Sequence, residues 1–316
     1  MTHPVTPASV AILIVTHNSH PEIATCLIAA LRTEAEVLVI DNASTDATVE
    51  TARGFGVRII ANPHNLGFAA AVNQGVRATT APRLLLLNPD AVIEGGIGDL
   101  AECCEDPQTG AAGGKLLSPE GVPQFGFNVR SFPGPLAISL ECLMINRLWP
   151  CNPVNWRYRC LGLDLDHAQE VDQPAGAFLM FRRDIWQRLG GLDEGYFPVW
   201  FEDVDFCKRI RDNGFHVWYR PKAVAHHTGS HSIAKLPVGC RTEYWYRSLL
   251  RYSVQQFGFL GRLTTCLSVF TGSLLRVLFG GTTYRGPEMA RAHFAVARLA
   301  IRTLWISKLE PGVILR

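Results

Sequence analysis

The stretch VAILIVT at residues 10–16 decides the fold of this chain. It is short, almost wholly apolar and rich in β-branched residues, which is typical of a strand covered on both faces. Residues 21–31 then place apolar side chains at helical spacing. The alternation repeats, with strands expected at 37–40, 57–61 and 84–87 and helices at 46–52 and 68–77. Strands that alternate with helices at this spacing predict an α/β layer with a mostly parallel central sheet and flanking helices.

Polar residues follow four of these strands at the point where each strand ends. They occupy positions 16–18, 41–42, 62–65 and 88–90. The carboxyl ends of parallel strands meet at one edge of a sheet, and the ligands of such sheets bind at that edge. The sequence therefore predicts a binding site built from these four clusters.

The segment WFEDVDFCKRIR at 200–211 carries an acidic pair, Glu202 and Asp203, at the start of a predicted helix. Asn213 and Gly214 are typical of a helix end and close it. A carboxylate at a helix start has a structural explanation, since it can cap free backbone N–H groups and face the positive end of the helix dipole. The polar strand ends favour a second interpretation, in which the pair belongs to a nucleotide-sugar site.

Composition restricts the class of protein further. Hydrophobic residues make up 47% of the 316 positions and charged residues 18%, which excludes a disordered chain. The net charge of +2 hides a division, because residues 241–316 hold 11 basic and 3 acidic residues whereas the preceding 240 hold 19 and 25. No nucleic-acid-binding motif accompanies the basic part, so we expect an anionic membrane surface as its partner and no nucleic acid.

The cysteines and the first residues indicate the compartment. Nine cysteines are scattered without a C-x-x-C pair, which favours reduced thiols in the cytoplasm. The first ten residues lack a basic segment followed by an apolar core, so no signal peptide is predicted.

The chain divides into a catalytic domain at 1–239 and a C-terminal helical region at 240–316. Within the first part, the pattern breaks down at 118–172 into Pro, Gly, Asn and aromatic residues, and we expect a long loop on the acceptor side of the site. In the second part, the uncharged run 263–275 has 13 residues, too few for the ~20 needed to span a bilayer.

Two amphipathic segments of the C-terminal region are candidates for membrane contact. An apolar stripe at 263–278 is flanked by Arg262 and Arg276, and a second stripe runs through 291–308. Helices of this kind lie in the membrane interface, which predicts a protein bound peripherally to the inner face of the cell membrane. The alternative is that both helices pack on the catalytic domain or on a second copy of the chain, as a homodimer.

Several stretches together identify a resemblance to a known family. In chain order they are THNS (16–19), VIDNASTD (39–46), NLGFAAAVNQG (65–75), LLLNPDA (85–91), GAFLMFRR (176–183), GGLDEGYF (190–197) and FEDVDFCKR (201–209). With them the sequence resembles the family-2 glycosyltransferases of the GT-A fold. The NPD variant and the GGLDE…EDVD phrasing are most similar to the bacterial rhamnosyltransferase branch. The resemblance implies an inverting enzyme of surface-polysaccharide synthesis that moves L-rhamnose from dTDP-L-rhamnose to a glycan or polyprenyl-diphosphate-linked acceptor.

The resemblance also implies roles for individual residues. Those expected to bind the nucleotide sugar are Thr16, Asn18, Asp41, Asn65, Gly67, Asn73, Asp90, Gly176 and Ala177. Gly67 would admit close backbone approach, and the helix that starts there would face phosphate. Asp203 would be the general base, and Glu202 would orient the acceptor or cap the helix. Asp172, Asp193 and Glu194 are expected on the acceptor side.

A divalent ion is the cofactor implied by the same resemblance. Mg²⁺ and Mn²⁺ prefer oxygen ligands and usually accept one or two protein carboxylates beside phosphates. Asp90 and His227 are the implied ligands, with His226 as a substitute because neighbouring strand residues face opposite ways. Asn88 departs from the family pattern, which has an acid at that position.

Two other classes of protein remain as alternatives. A sugar-1-phosphate nucleotidyltransferase shares the α/β layout, but it would carry a Gly-rich stretch with Arg and Lys after the first strand, which THNSHPE lacks. A catalytically dead carbohydrate-binding protein of the same fold would have lost Asp203 or Asp90, and both are present.

Overall fold

The first strand, β1 (Val10–Thr16), lies within a nine-stranded sheet in the computed structural model, which describes residues 9–229, 235–279, 286–306 and 308–315. The other strands of this sheet are β2 (Glu36–Asn42), β3 (Arg58–Asn62), β4 (Arg83–Leu87), β5 (Ala91–Gly95), β6 (Thr109–Leu117), β8 (Gln169–Glu170), β10 (Phe178–Arg182) and β11 (His216–His227). A separate two-stranded sheet pairs β7 (Val129–Arg130) with β9 (Gln173–Pro174). The main sheet runs in the order β3-β2-β1-β4-β10-β6-β11-β5, and β8 pairs with β11.

The sheet is mixed, which corrects the expectation of a mostly parallel arrangement. Strands β3, β2, β1 and β4 are parallel neighbours. Strand β10 is antiparallel to both β4 and β6, and β11 is antiparallel to β5 and β8. The parallel prediction came from the strand–helix alternation of the first 87 residues, and it holds for that part of the sheet.

Helices cover both faces of the sheet. They are α1 (Glu22–Leu31), α2 (Thr48–Gly54), α3 (Phe68–Ala78), α4 (Ile97–Cys103), α8 (Arg183–Arg188) and α9 (Glu202–Asp212). The apolar run of β1 is explained by the two cores that it separates. Ile12 and Ile14 belong to one core and Ala11 and Leu13 to the other, because successive strand residues point to opposite faces.

Three helices follow the catalytic fold, α10 (Val238–Gln256), α11 (Phe259–Phe279) and α12 (Pro287–Thr303). They form a third core with the catalytic domain, in which Tyr196 and Phe201 contact apolar residues of α10, α11 and α12. The expected boundary at 239/240 falls inside α10. The C-terminal helices are therefore packed on the domain that carries the acidic motif.

The expected loop at 118–172 contains three short helices and two short strands, joined by turns and irregular segments. Besides β7 and β8 it contains α5 (Pro135–Cys142), α6 (Ile145–Leu148) and α7 (Pro153–Tyr158). Helix α5 runs along α11, where Ser268 Oγ donates to Ser139 Oγ at 2.8 Å and Arg276 donates to the Cys142 carbonyl. Arg276 is buried, so it does not flank a membrane-facing stripe as predicted. None of the helices in the described ranges is both long enough and apolar enough to cross a membrane.

Candidate active site

A cleft of about 720 Å³ opens at the carboxyl ends of β1 and β4 and the start of β10. Of the residues predicted from sequence, it is lined by Thr16, Asn65, Asp90, Gly176, Ala177, Glu202, Asp203 and His227. The structure thus brings together residues that lie more than 200 positions apart in the chain. Eight predicted residues lie outside this lining: Asn18, Asp41, Gly67, Asn73, Asp172, Asp193, Glu194 and His226.

At one end of the cleft, the ends of β1 and β2 are held together by Asp41. Its Oδ1 accepts from Thr16 Oγ1 at 2.7 Å and from Ser44 Oγ at 2.5 Å, and its Oδ2 accepts from Ser44 N at 2.9 Å. The Asn18 side chain is likewise engaged, since its Oδ1 accepts from Thr45 N at 2.7 Å. Asp41 and Asn18 therefore support the cleft wall from behind, and Thr16 faces the cleft.

His17 and Asn42 line the same end of the cleft and were not predicted as ligand contacts. His17 Nδ1 lies 2.7 Å from the Asn42 carbonyl oxygen, and Asn42 Nδ2 donates to the Gly67 carbonyl at 3.1 Å. Both belong to the polar strand-end clusters, so the sequence contained the signal. The prediction chose Asn18 and Asp41, whereas the structure turns the side chains of the neighbouring residues His17 and Asn42 toward the cleft.

Gly67 is closely approached, as expected, but the approaching atoms belong to Phe197 and Pro198 of the protein. A Cβ atom at Gly67, whose φ is +86°, would lie 2.9 Å from the Phe197 ring. The next amide, Phe68 N at the start of α3, donates to the Pro198 carbonyl at 2.7 Å. The first N–H group of α3 is therefore occupied by backbone, and the prediction that this helix end faces phosphate stays a prediction for the remaining N–H groups of the first turn.

Asn73 is buried and is fully hydrogen-bonded to the segment before the acidic motif. Its Oδ1 accepts from Trp186 Nε1 and Leu192 N, both at 2.9 Å. Its Nδ2 donates to the Leu192 carbonyl at 2.8 Å and to Glu194 Oε1 at 2.9 Å. These bonds fix the loop between α8 and α9, so the geometry assigns Asn73 and the exposed Glu194 a supporting position outside the cleft.

Asp90 and His227 form a buried pair on the cleft wall. Asp90 Oδ1 lies 3.4 Å from His227 Nε2, and the imidazole is 2% exposed. The Gln124 amide holds the ring, because its Nε2 donates to the His227 carbonyl at 2.6 Å and its Oε1 lies 3.2 Å from Nδ1. Since Oε1 can only accept, Nδ1 is the donor in that contact, and Nε2 faces Asp90.

Asn88 occupies the position of the missing family acid. Its Nδ2 lies 3.3 Å from His227 Nε2. His226 is directed away from the cleft, with Nε2 3.0 Å from Glu94 Oε2 and Nδ1 3.1 Å from the Ser118 carbonyl. The structure therefore places His227 beside Asp90 and excludes His226 as its substitute, because alternate strand residues face opposite sides.

Asp203 lines the cleft and is oriented by neutral donors. Its Oδ2 accepts from Gly176 N at 2.9 Å and from Gln173 Nε2 at 3.1 Å, and its Oδ1 accepts from Val204 N at 2.8 Å. Burial raises the pKa of this carboxyl above its usual value, and the hydrogen bonds from backbone amides oppose that rise. A Cβ atom at Gly176 would lie 2.9 Å from Oδ2, so glycine is needed for the contact.

Glu202 is the more deeply buried member of the pair. Its Oε2 has no hydrogen-bond partner among the described residues. Burial first, and the neighbouring Asp203 charge second, raise its pKa well above the usual value. Trp200 and Phe201 precede the pair with φ values of +79° and +70°, a conformation that bulky residues rarely adopt. This strained turn presents both aromatic rings and both acids to the cleft.

Residues 11–189, more than half of the chain, match the family described as Glycosyl transferase family 2. The chain belongs to this family. The predicted resemblance is thereby confirmed, and the chain is a glycosyltransferase.

Curated relatives of this glycosyltransferase include two rhamnosyltransferases. An N-acetylglucosaminyl-diphospho-decaprenol L-rhamnosyltransferase of Mycobacterium tuberculosis is 28% identical over 278 residues, which cover 77% of this chain and 88% of the relative. The rhamnosyltransferase WbbL of Escherichia coli is 26% identical over 170 residues, covering 53% of this chain and 61% of the relative.

Solved structures confirm the predicted GT-A fold. The mannosyltransferase PcManGT from Pyrobaculum calidifontis, in complex with GDP-Man and Mn²⁺, has a TM-score of 0.54 at 17% identity and covers 96% of this chain and 88% of its own. GalNAc-T7 with UDP, GalNAc and Mn²⁺ has a TM-score of 0.58 at 14% identity and covers 93% and 56%.

The other end of this glycosyltransferase's cleft is built mainly from residues that sequence reasoning missed. Aromatic and charged side chains of α5, α7 and α10 and of the loop before α9 line it: Glu141, Tyr158, Arg159, Trp200, Tyr244 and Trp245. The predicted acids lie elsewhere, because Asp172 Oδ2 accepts from Phe132 N at 3.1 Å and Asp193 pairs with Arg251 at 2.6 Å. The runs WRYR at 156–159 and YWYR at 244–247 were the available signal.

Proposed function

We propose that the chain is an inverting rhamnosyltransferase that transfers L-rhamnose from dTDP-L-rhamnose to a glycan or lipid-linked acceptor. The observation that carries this proposal is the position of Asp203, whose carboxylate lines the cleft beside an aromatic wall and is held by neutral donors. The choice of sugar is supported by the two rhamnosyltransferases among its relatives. Membership of the family removes the nucleotidyltransferase alternative, and the presence of Asp203 and Asp90 argues against a dead protein.

In this proposal, Asp203 takes the proton from the acceptor hydroxyl. The hydroxyl oxygen forms a bond to C1 of the sugar from the face opposite the diphosphate. The bond between C1 and the diphosphate oxygen breaks, and its electron pair leaves with the diphosphate. Burial makes Asp203 a stronger base than an exposed aspartate, and the amides of Gly176 and Val204 keep the carboxylate oriented during proton transfer.

The pair Asp90 and His227 suits a divalent ion. Asp90 Oδ1 and His227 Nε2 face each other across 3.4 Å in a buried wall of the cleft. One carboxylate and one imidazole beside phosphate oxygens are a donor set that Mg²⁺ or Mn²⁺ accepts. When bound, the ion supplies positive charge to the leaving diphosphate. The two similar structures, PcManGT and GalNAc-T7, are both complexes with Mn²⁺, which supports a metal-dependent reaction.

We also propose that the enzyme works in the cytoplasm, bound peripherally to the inner face of the membrane. The exposed side of α12 supports this proposal, because basic and apolar residues alternate along it at helical spacing: Arg291, Phe294, Arg298, Ile301 and Arg302, with Trp305 just beyond the helix. Such a face combines apolar insertion with attraction to anionic lipid. The homodimer stays a prediction.

The test is a donor screen with the purified full chain. We expect release of nucleoside diphosphate from dTDP-L-rhamnose, in the presence of a short-chain prenyl-diphosphate N-acetylglucosamine acceptor, to exceed release from UDP-, GDP- and other dTDP-sugars. Proton NMR of the product should show inversion at C1. Asp203→Asn should lower turnover by roughly 10²–10⁴-fold, whereas Asp212→Asn, at the exposed end of the same helix, should leave it unchanged.

Two results would contradict the proposal. Equal release from all donors would remove rhamnose as the substrate while leaving the glycosyltransferase assignment intact. An Asp203→Asn enzyme that keeps more than about a tenth of wild-type turnover would remove Asp203 from the role of base.

A further inference from the structure

The segment 145–159, which we call the α6–α7 segment, exposes large apolar and basic side chains together. Leu148 is 86% exposed, Trp149 is 59% exposed and Trp156 is 47% exposed. The segment holds three arginines, at 147, 157 and 159, and no acidic residue. It lies within residues 1–239, outside the C-terminal region 240–316 that holds the excess of basic residues.

The exposure of these side chains is fixed by a buried network of asparagines. Asn152 Nδ2 donates to the Trp149 carbonyl and to Asn146 Oδ1, both at 2.8 Å, and its Oδ1 caps α7 by accepting from Asn155 N at 2.9 Å. Asn155 Nδ2 donates to the Pro150 carbonyl at 2.6 Å. Both asparagines are buried. The backbone is thus held so that Leu148 and Trp149 project outward, and their exposure does not result from a loose loop.

The far end of the segment forms part of the cleft. Tyr158 and Arg159, where α7 ends, line the cleft beside Glu141 of α5. Arg159 Nε donates to Asn155 Oδ1 at 3.1 Å, so the cleft wall and the asparagine network are one connected structure. A partner that contacts Leu148 and Trp149 is therefore about ten residues along the chain from Tyr158 and Arg159, which line the cleft.

We propose that the α6–α7 segment docks on an anionic lipid bilayer, with Leu148, Trp149 and Trp156 in the headgroup region and Arg147 and Arg157 on anionic headgroups. Tryptophan suits this depth because it joins an apolar ring to a polar N–H group. The absence of any acid from the segment favours an anionic surface over a neutral protein partner. The inference rests on the proposed function in one respect, that a lipid-linked acceptor reaches the cleft from this side.

Binding to vesicles tests the proposal with the full chain. The vesicles contain equal parts of phosphatidylglycerol and phosphatidylcholine, and sedimentation measures the bound fraction. We expect Arg147→Gln/Arg157→Gln to weaken binding by roughly 30-fold, since each basic residue near such a surface favours binding by several-fold. Leu148→Ser/Trp149→Ser should weaken it by roughly tenfold or more, because buried apolar area is lost.

Matched controls come from α1 and its neighbour α2, on the first half of the sheet. Ile28→Ser/Leu31→Ser removes two exposed apolar side chains, and Arg32→Gln/Arg53→Gln removes two exposed positive charges, so net charge matches the test variants. Neither control should change binding. Cys151, an exposed cysteine inside the segment, provides a direct probe. A polarity-sensitive dye on its thiol should shift to shorter wavelength on vesicles, with Cys151→Ser protein giving the labelling background.

The outcomes separate this inference from the proposed function. Turnover with a water-soluble acceptor should be unchanged in all four double variants, because none of the altered residues lines the cleft. If the screen of donors fails but binding depends on 147–149 and 157, the docking surface stands without the rhamnosyl assignment. Wild-type protein that ignores the vesicles, test variants that bind like the controls, or a Cys151 dye that does not respond while Phe294→Ser/Trp305→Ser abolishes binding would each overturn the inference.

Discussion

Replacement of Arg251 by methionine should destabilise the whole protein, because this arginine joins the C-terminal helices to Asp193 in the loop between α8 and α9. Arg251 in α10 is 0% exposed. Its Nε and Nη2 donate to Asp193 Oδ2 at 2.9 and 2.6 Å, and Nη2 also donates to the Glu310 carbonyl at 3.0 Å. The guanidinium lies against Gly195, where a Cβ atom would overlap it. Gly195 of the GGLDEGYF stretch is therefore explained by a residue 56 positions further on.

The size of the effect follows from what the substitution leaves behind. Methionine fills much of the same space, but Asp193 Oδ2 loses both of its donors while staying buried. Removal of one partner from a buried ion pair costs about 3–5 kcal/mol. The matched control is Lys308→Met, which breaks an ion pair to Glu310 whose side chains are 76% and 72% exposed. Exposed pairs of this kind contribute below about 1 kcal/mol.

Urea unfolding followed by circular dichroism measures both free energies. If Arg251→Met lowered the free energy of unfolding as little as Lys308→Met does, the Arg251–Asp193 pair would not be what joins the C-terminal helices to the catalytic domain. The acceptor role predicted from sequence for Asp193 has a different signature. If Asp193→Asn raised KM for the acceptor while the free energy of unfolding stayed unchanged, the residue would belong to the acceptor site after all.

Three further predictions concern the acids of the cleft. Glu202→Gln should raise the free energy of unfolding at neutral pH and leave it unchanged at pH 4. Burial raises the pKa of Glu202 above its ordinary 4.5, so the wild-type protein loses stability as pH rises from that value, whereas the Glu202→Gln change removes this loss because an amide does not ionise. Urea unfolding at several pH values measures this, and an equal difference between the two proteins at both pH values would contradict it. Gly176→Ala should cost roughly 10²-fold in turnover with the fold intact, since the new methyl group displaces Asp203; a fully active variant would show that the contact is dispensable. EDTA should abolish transfer, and Mg²⁺ or Mn²⁺ should restore it in wild type but not in Asp90→Asn; full activity in EDTA would mean that Asp90 and His227 act by hydrogen bonding alone.

Local pattern was enough to predict much of the catalytic fold. The apolar run of β1, the strand–helix alternation after it and the helix opened by Glu202 are set by residues close in sequence. The alternation of side chains along a strand implied that only one of His226 and His227 faces the cleft, and the choice of His227 came from the family resemblance. The mixed character of the sheet was not predictable in this way, because β10 and β11 reach their neighbours over long connections whose direction no short pattern encodes.

The segment 118–172 and the C-terminal helices show the same limit. Proline, glycine and asparagine in the segment were interpreted as loop signals, yet Pro135 and Pro153 begin helices α5 and α7, where proline is well tolerated. Helix α5 is stable because it packs along α11, more than 120 residues away, through Ser139 and Ser268. Neither stretch alone predicts the other, so the end of the cleft lined by α5, α7 and α10 could not be assembled from sequence.

Asp193 and Asp203 differ in the groups that hydrogen-bond to them. Asp193 is neutralised by the guanidinium of Arg251, whereas Asp203 is held by two backbone amides and the Gln173 amide. Burial raises the pKa of Asp203, which favours its taking a proton, and the neutral donors orient its carboxylate. Both residues are aspartates in acidic stretches ten positions apart, so the difference lies in the partner that the fold supplies. That partner is what makes Asp203 the base in our proposal and Asp193 the attachment point for the C-terminal helices.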